Sequence, residues 1–182
     1  KLDRPWLTVN RSSTRNQYDT YFVFPEGVRI RYREDELVRP DGSLQNAFYT
    51  ITLTGPTHER EYDNSVVLSR SRYAAPADHS LRFYREYFKP SQERQVIKQR
   101  RRFHVSYQDT DFVINVDRVQ LGEQHGCYLE IKSRTWSARD AERKAELIGE
   151  ILDRLGTSKE ARLKVEYVDL VAGVDAMHLR PR

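Results

Sequence analysis

The 182-residue chain has one cysteine, one methionine, eight glycines and seven prolines. No apolar run approaches the ~20 residues of a membrane-spanning helix. The single cysteine, Cys127, excludes an intramolecular disulfide framework and a multi-cysteine zinc site, and fits a reducing compartment. No signal-peptide pattern opens the sequence, so the expected location is cytoplasmic. The histidines His58, His79, His104, His125 and His178 share no ligand spacing and read as surface or loop residues. Cys127 reads as a buried small apolar residue beside a turn. A strong excess of one sign of charge is also missing. The 31 basic and 27 acidic residues leave a net charge of +4, compatible with a phosphate-bearing partner but not the signature of a nucleic-acid-coating protein.

What is abundant is charge itself, at 32% of residues against 38% hydrophobic, together with eleven tyrosines and seven phenylalanines. With many Val, Ile and Thr, the aromatics favour strands. Five segments place charged side chains at every second residue. They are Val28–Arg33, Glu59–Asp63, Lys98–Arg102, Asn115–Asp117 and Tyr128–Lys132. Successive side chains of a strand point to opposite faces, so each run projects its charges to one side. One such strand is most simply a solvated face. Five together, bases in two and acids in two others, point to a shared charged interior suited to a polyanion with a metal ion.

The length fits a single domain over residues 1–182. The first thirteen residues read as an irregular lead-in with a short extended piece from Leu7 to Asn10. Strands are expected at Asp19–Phe24, Val28–Arg33 and Ala47–Leu53, the last two joined through the turn Arg39-Pro40-Asp41-Gly42-Ser43. Residues 74 to 80 read as a loop into a helix at Leu81–Phe88, stopped by Pro90. Further strands follow at Gln95–Tyr107, Phe112–Val116 and Cys127–Lys132. The clearest helix is Ala138–Leu155, with Ser137 as N-cap, one apolar stripe and Gly156 as its stop. Arg162–Val168 reads as a last strand and Leu170–Arg182 as a tail. The class is α+β, mainly antiparallel.

In order, these segments resemble the CYTH family, the triphosphate tunnel metalloenzymes, over roughly residues 17 to 170. Gln17-Tyr18-Asp19-Thr20-Tyr21-Phe22 resembles the family's early strand. Val28-Arg29-Ile30-Arg31 is similar to its strand of alternating arginines, and Thr52–Pro56 with Arg60–Asp63 to the strands that follow. Lys98-Gln99-Arg100 resembles the second basic strand. Val116–Gly122 with Tyr128–Lys132 is similar to the aspartate, leucine-glycine, glutamate hairpin. The helix ending Leu155-Gly156, then Tyr167-Val168-Asp169-Leu170, fits the family's closing helix and strand.

The resemblance implies an eight-stranded antiparallel β-barrel with a C-terminal helix packed on the sheet and a charged lumen that holds a triphosphate. Arg29, Arg31, Arg33, Lys98, Arg100, Arg102 and Lys132 are the implied phosphate ligands. Glu130, Asp117 and Glu61 are the implied ligands of Mg or Mn. The expected function is binding of a triphosphate or nucleotide small molecule with metal-dependent phosphohydrolase activity. Nucleic acid enters only through a 5′-triphosphate end.

Three positions depart from the family pattern. Its opening strand of two alternating glutamates and a lysine has no counterpart in the lead-in, so that strand is expected to be incomplete or to lie upstream of Lys1. Thr54 stands where many members have lysine. Lys132 stands where they often have a second glutamate, which weakens metal affinity and adds a phosphate-binding group. These departures keep two alternatives open beside hydrolysis: a non-catalytic phosphate- or nucleotide-sensing regulatory domain of a larger protein, and a nucleotidyl cyclase on the same scaffold. A barrel whose charges only pair with one another is the structural alternative.

Overall fold

The computed structural model describes residues 4–25, 27–53, 58–62, 66–69, 73–163 and 165–178. In chain order the strands are β1 (Thr8–Val23), β2 (Arg29–Val38), β3 (Phe48–Leu53), β4 (His58–Tyr62), β5 (Val66–Ser69) and β6 (Tyr73–Pro76). Then come helix α1 (Leu81–Phe88), strands β7 (Gln92–Tyr107), β8 (Thr110–Leu121) and β9 (Gln124–Lys132), and helices α2 (Ala138–Arg154) and α3 (Tyr167–His178).

Seven strands form one antiparallel sheet in the order β6-β3-β2-β1-β7-β8-β9. This corrects the closed eight-stranded barrel. Among the described residues the edges β6 and β9 do not pair with each other, and β4 and β5 pair only with one another. That hairpin lies beside α2, with Val66 against the core under the helix and Arg60 3.1 Å from Glu142.

The expected lead-in is in fact the first half of β1, which pairs from Thr8 onward with β7. Its scarcity of apolar residues hides it, because one of its faces belongs to a charged surface rather than a core. Ala74 and Ala75, expected in a loop, lie in β6 against β3. The expected last strand is also corrected. Tyr167 and Val168 begin α3, and Val168 and Val171, three apart on one helix face, pack against Tyr21, Val96 and Val119. Burial of that face outweighs the strand preference of valine and tyrosine.

Helices α1 and α2 cover one face of the sheet. Ser80 caps α1 by accepting from the Phe83 amide at 3.3 Å, and Tyr84 packs with Phe22 and Tyr32. Ser137 caps α2 in the same way through Asp140, and Gly156 at φ 76° follows its end. Leu147, Ile148 and Ile151 of α2 meet Phe103, Val105, Phe112 and Ile114, with Leu129 and Ile131 alongside. Strand β7 therefore changes its buried side. Val96, Lys98 and Arg100 are buried on the face opposite the helices, Phe103, Val105 and Tyr107 beneath α2. The pairing with β8 runs unbroken through the change, so no bulge causes it.

Ile151 is fully buried in the α2 core. Ile151→Ala should cost about 2–5 kcal/mol in urea unfolding, whereas Arg143→Ala on the exposed side of α2 should stay within about 0.5 kcal/mol.

Candidate functional site

The strand registers place four of the five alternating runs on the face opposite α1 and α2. Arg15, Arg100, Asp117 and Tyr128 lie in one row across β1, β7, β8 and β9, and Ser13, Arg102, Asn115 and Glu130 in the next. Lys132 pairs with Val113 one row further on. On the other side of β1, Arg31 stands opposite Tyr21 and Arg33 opposite Asp19. The fifth run is separate: Glu61 is exposed on the β4–β5 hairpin, so the structure does not bring it together with Asp117 and Glu130. Thr54 and Asp63 lie outside the described residues. Cys127, expected buried, is exposed, because its strand position faces away from the charged surface beyond the cover of α2.

Two buried carboxylates organise the face. Asp19 accepts from Arg33 Nε at 2.5 Å and Nη2 at 2.7 Å, and from Lys98 Nζ at 2.5 Å. Asp117 accepts from Arg100 Nε at 2.7 Å and Nη2 at 2.6 Å, and from the Tyr167 hydroxyl at 2.7 Å. Glu130 accepts from Arg100 Nη2 at 3.0 Å, Asn115 Nδ2 at 3.1 Å and Lys132 Nζ at 2.8 Å. At the edge nearer α3, Arg29 donates to both oxygens of Asp169, at 2.7 and 3.1 Å.

Two of the expected phosphate ligands have no carboxylate partner among the described residues. Arg31 reaches only the Thr52 hydroxyl, at 3.3 Å, and its Nε is buried without a hydrogen-bond partner. Arg102 donates to the Asn115 amide oxygen at 3.2 Å.

Burial favours the neutral form of Asp19, but the Lys98 ammonium and the Arg33 guanidinium outweigh it and hold the carboxyl well below its usual range. Glu130 is likewise brought down to about 2, against its burial, by Lys132 and Arg100. Burial, then the Asp117 charge, pushes the Tyr167 hydroxyl up, so it stays protonated and remains a donor. Arg102 is lowered by burial and by Arg100 and Arg15, the condition of a cation short of counter-charge. For Lys98 burial is again the largest influence. With Arg33 and Arg100 acting the same way, it brings the ammonium down to about 7 despite Asp19.

The sequence matches the CYTH domain family over residues 5–164. The chain belongs to the CYTH family. CYTH proteins bind triphosphates, typically with divalent metals. The CYTH chain is similar in fold to the PH1819 protein of Pyrococcus horikoshii OT3, at 18% identity and a TM-score of 0.67, covering 91% of this chain and 88% of that one. It is similar also to a conserved hypothetical protein of Pyrococcus furiosus, at 20% identity, a TM-score of 0.57 and coverage of 90% and 86%. A third similar structure is a candidate adenylate cyclase of Vibrio parahaemolyticus, at 15% identity, a TM-score of 0.56 and coverage of 91% and 84%. No curated protein matches the sequence. Among the described residues no helix is long and apolar enough to cross a membrane.

Several members of this CYTH face are not among the expected site residues, although Gln17, Asp19, Tyr167 and Asp169 lie in segments that resemble the family. Arg15, Gln17 and Asp19 continue one alternation along β1, and extending that period upstream from Asp19 finds them. Asp35 follows Arg33 in the same way and sits 3.0 Å from the Gln17 amide and 3.2 Å from Arg15. Tyr167 and Asp169 have no such signal, because they reach the face from a helix.

Asp19→Ala removes the counter-charge of a buried arginine and a buried lysine. It should destabilise the fold by about 3–5 kcal/mol in denaturant titration. Lys98 gives a pH dependence of opposite sense to an ordinary ion pair. Above pH 7 the folded chain has released a proton that the unfolded chain, with its lysine near 10.5, still holds. Stability should therefore rise from pH 7 to pH 9. A melting temperature that climbs by several degrees in the wild type and less in Lys98→Met is the expected result.

Proposed function

We propose that the charged face of the seven-stranded sheet binds a triphosphate-bearing small molecule, inorganic or nucleotide. Arg29, Arg31, Arg33, Lys98, Arg100, Arg102 and Lys132 would supply the positive charge. The observation that carries this reading is Arg31, whose guanidinium has no carboxylate partner among the described residues and whose buried Nε lacks any acceptor. A buried donor left unpaired is costly, and a phosphate oxygen is a matched acceptor for a guanidinium. Arg102, hydrogen-bonded to an amide oxygen, adds a second guanidinium with no carboxylate hydrogen bond among the described residues to the same face.

Metal-dependent phosphohydrolase activity is the enzymatic form of this reading, with Mg or Mn held by Asp117 and Glu130 to polarise the phosphoryl group. The donor set does not fit that role well. Arginine, lysine, tyrosine and asparagine donors already engage both oxygens of each carboxylate. Glu61 stands on another sheet, and no group of three metal-ligating side chains occurs among the described residues. This pairing favours the second reading, a non-catalytic phosphate- or nucleotide-sensing domain. A nucleotidyl cyclase shares the scaffold but has no residue here that singles it out.

Isothermal titration with tripolyphosphate tests the binding. Arg31→Ala should weaken it by about 10- to 100-fold, the loss expected for charge-assisted hydrogen bonds of ~1.5–3 kcal/mol. Arg143→Ala should leave it unchanged. Equal effects of the two would remove Arg31 from the site.

A further inference from the structure

We infer that this face takes its polyanion without a divalent cation, because protein cations and a tyrosine hydroxyl occupy the positions on Asp117 and Glu130 that a metal would need. The inference rests on the anion-binding reading above and deepens it by specifying the ligand as the metal-free oligophosphate.

Asp117 is completely buried. The fork of Arg100 closes on it from β7, donating to both oxygens, and Tyr167 closes on it from α3. Tyr167 is not a loose lid. Its neighbour Val168 is fully buried against the sheet, and its ring packs 5.4 Å from that of Tyr128. Magnesium requires oxygen ligands at about 2.0–2.1 Å in near-octahedral order. Reaching Asp117 would mean withdrawing both the guanidinium and the hydroxyl.

Glu130 has the same difficulty. Lys132 sits 2.8 Å from Oε1, and Arg100 and Asn115 hold Oε2. A cation bound there would face Arg100 and Lys132 at close range, and displacing them leaves buried or half-buried charges without compensation. Repulsion and lost pairing therefore both oppose a metal. For a phosphate chain the same groups work in the favourable direction. An incoming oxyanion shares the arginine and lysine donors that a metal would repel, and it supplies the acceptor that Arg31 Nε lacks.

The test is titration of the full chain with tripolyphosphate in EDTA and again in magnesium, with Glu130→Gln measured beside the wild type. The expected result is binding in EDTA at least as tight as in magnesium. Glu130→Gln should bind severalfold more tightly in EDTA, since it removes a negative charge that repels phosphate from the face. Binding seen only with magnesium would overturn the inference while leaving the anion-binding reading intact, as would loss of that binding in Glu130→Gln. Absence of binding under both conditions would overturn both. Manganese alone gives an independent readout. The electron paramagnetic resonance signal of free Mn2+ should persist in the presence of the protein, and its quenching at micromolar protein would refute the inference without any anion present.

Discussion

Asp19 and Asp117 sit buried in the middle of a sheet, and each is paired with basic side chains of adjacent strands. Asp19 on β1 receives Arg33 from β2 and Lys98 from β7, and Asp117 on β8 receives Arg100 from β7. Arg100 reaches on to Glu130 on β9, and Tyr167 brings in α3. Pairing of buried charge thus stitches five strands and a helix together. Breaking one member leaves its partners desolvated and unpaired, which costs more than an exposed ion pair contributes. The apolar cores then divide around this network: α1 and α2 on one side of the sheet, and the first turns of α3 on the other.

That division explains how one strand serves both a core and a site. Along β7 the buried side changes between Arg100 and Phe103 because α2 covers only one end of its face and the charge network lies on the opposite face at the other. The sheet can therefore present an arginine-rich surface while α2 retains a conventional aliphatic core. Arg31 and Arg102 on this face make no hydrogen bond to a carboxylate among the described residues. In the proposed binding of an anion, those two positions distinguish a network that only holds the sheet together from one that takes a ligand.

Much of the face was legible in the sequence. Alternation in Val28–Arg33, Lys98–Arg102, Asn115–Asp117 and Tyr128–Lys132 put the right side chains on one side, and the registers show those sides to be the same. The α2 cap, stripe and glycine stop were equally local and equally readable. Alternation failed for Glu61, because period 2 assigns a face within a strand but says nothing about which sheet the strand joins. It also missed the first half of β1, whose Ser, Thr, Asn and Arg residues read as irregular when no apolar partner marks the period. The expected closing strand failed for a different reason: valine-rich segments such as Val165–Val171 are decided by what they pack against.

The sequence by itself determined the family, the strand parity of the charged side chains and the helical caps, because each depends on neighbours a few residues away in the chain. Only the tertiary structure decided that the sheet remains open among the described residues, that α3 delivers Tyr167 to Asp117, and that the carboxylates are occupied by bases rather than left available. Those outcomes depend on which groups meet across long sequence separations, where burial makes an unpaired charge too costly to leave.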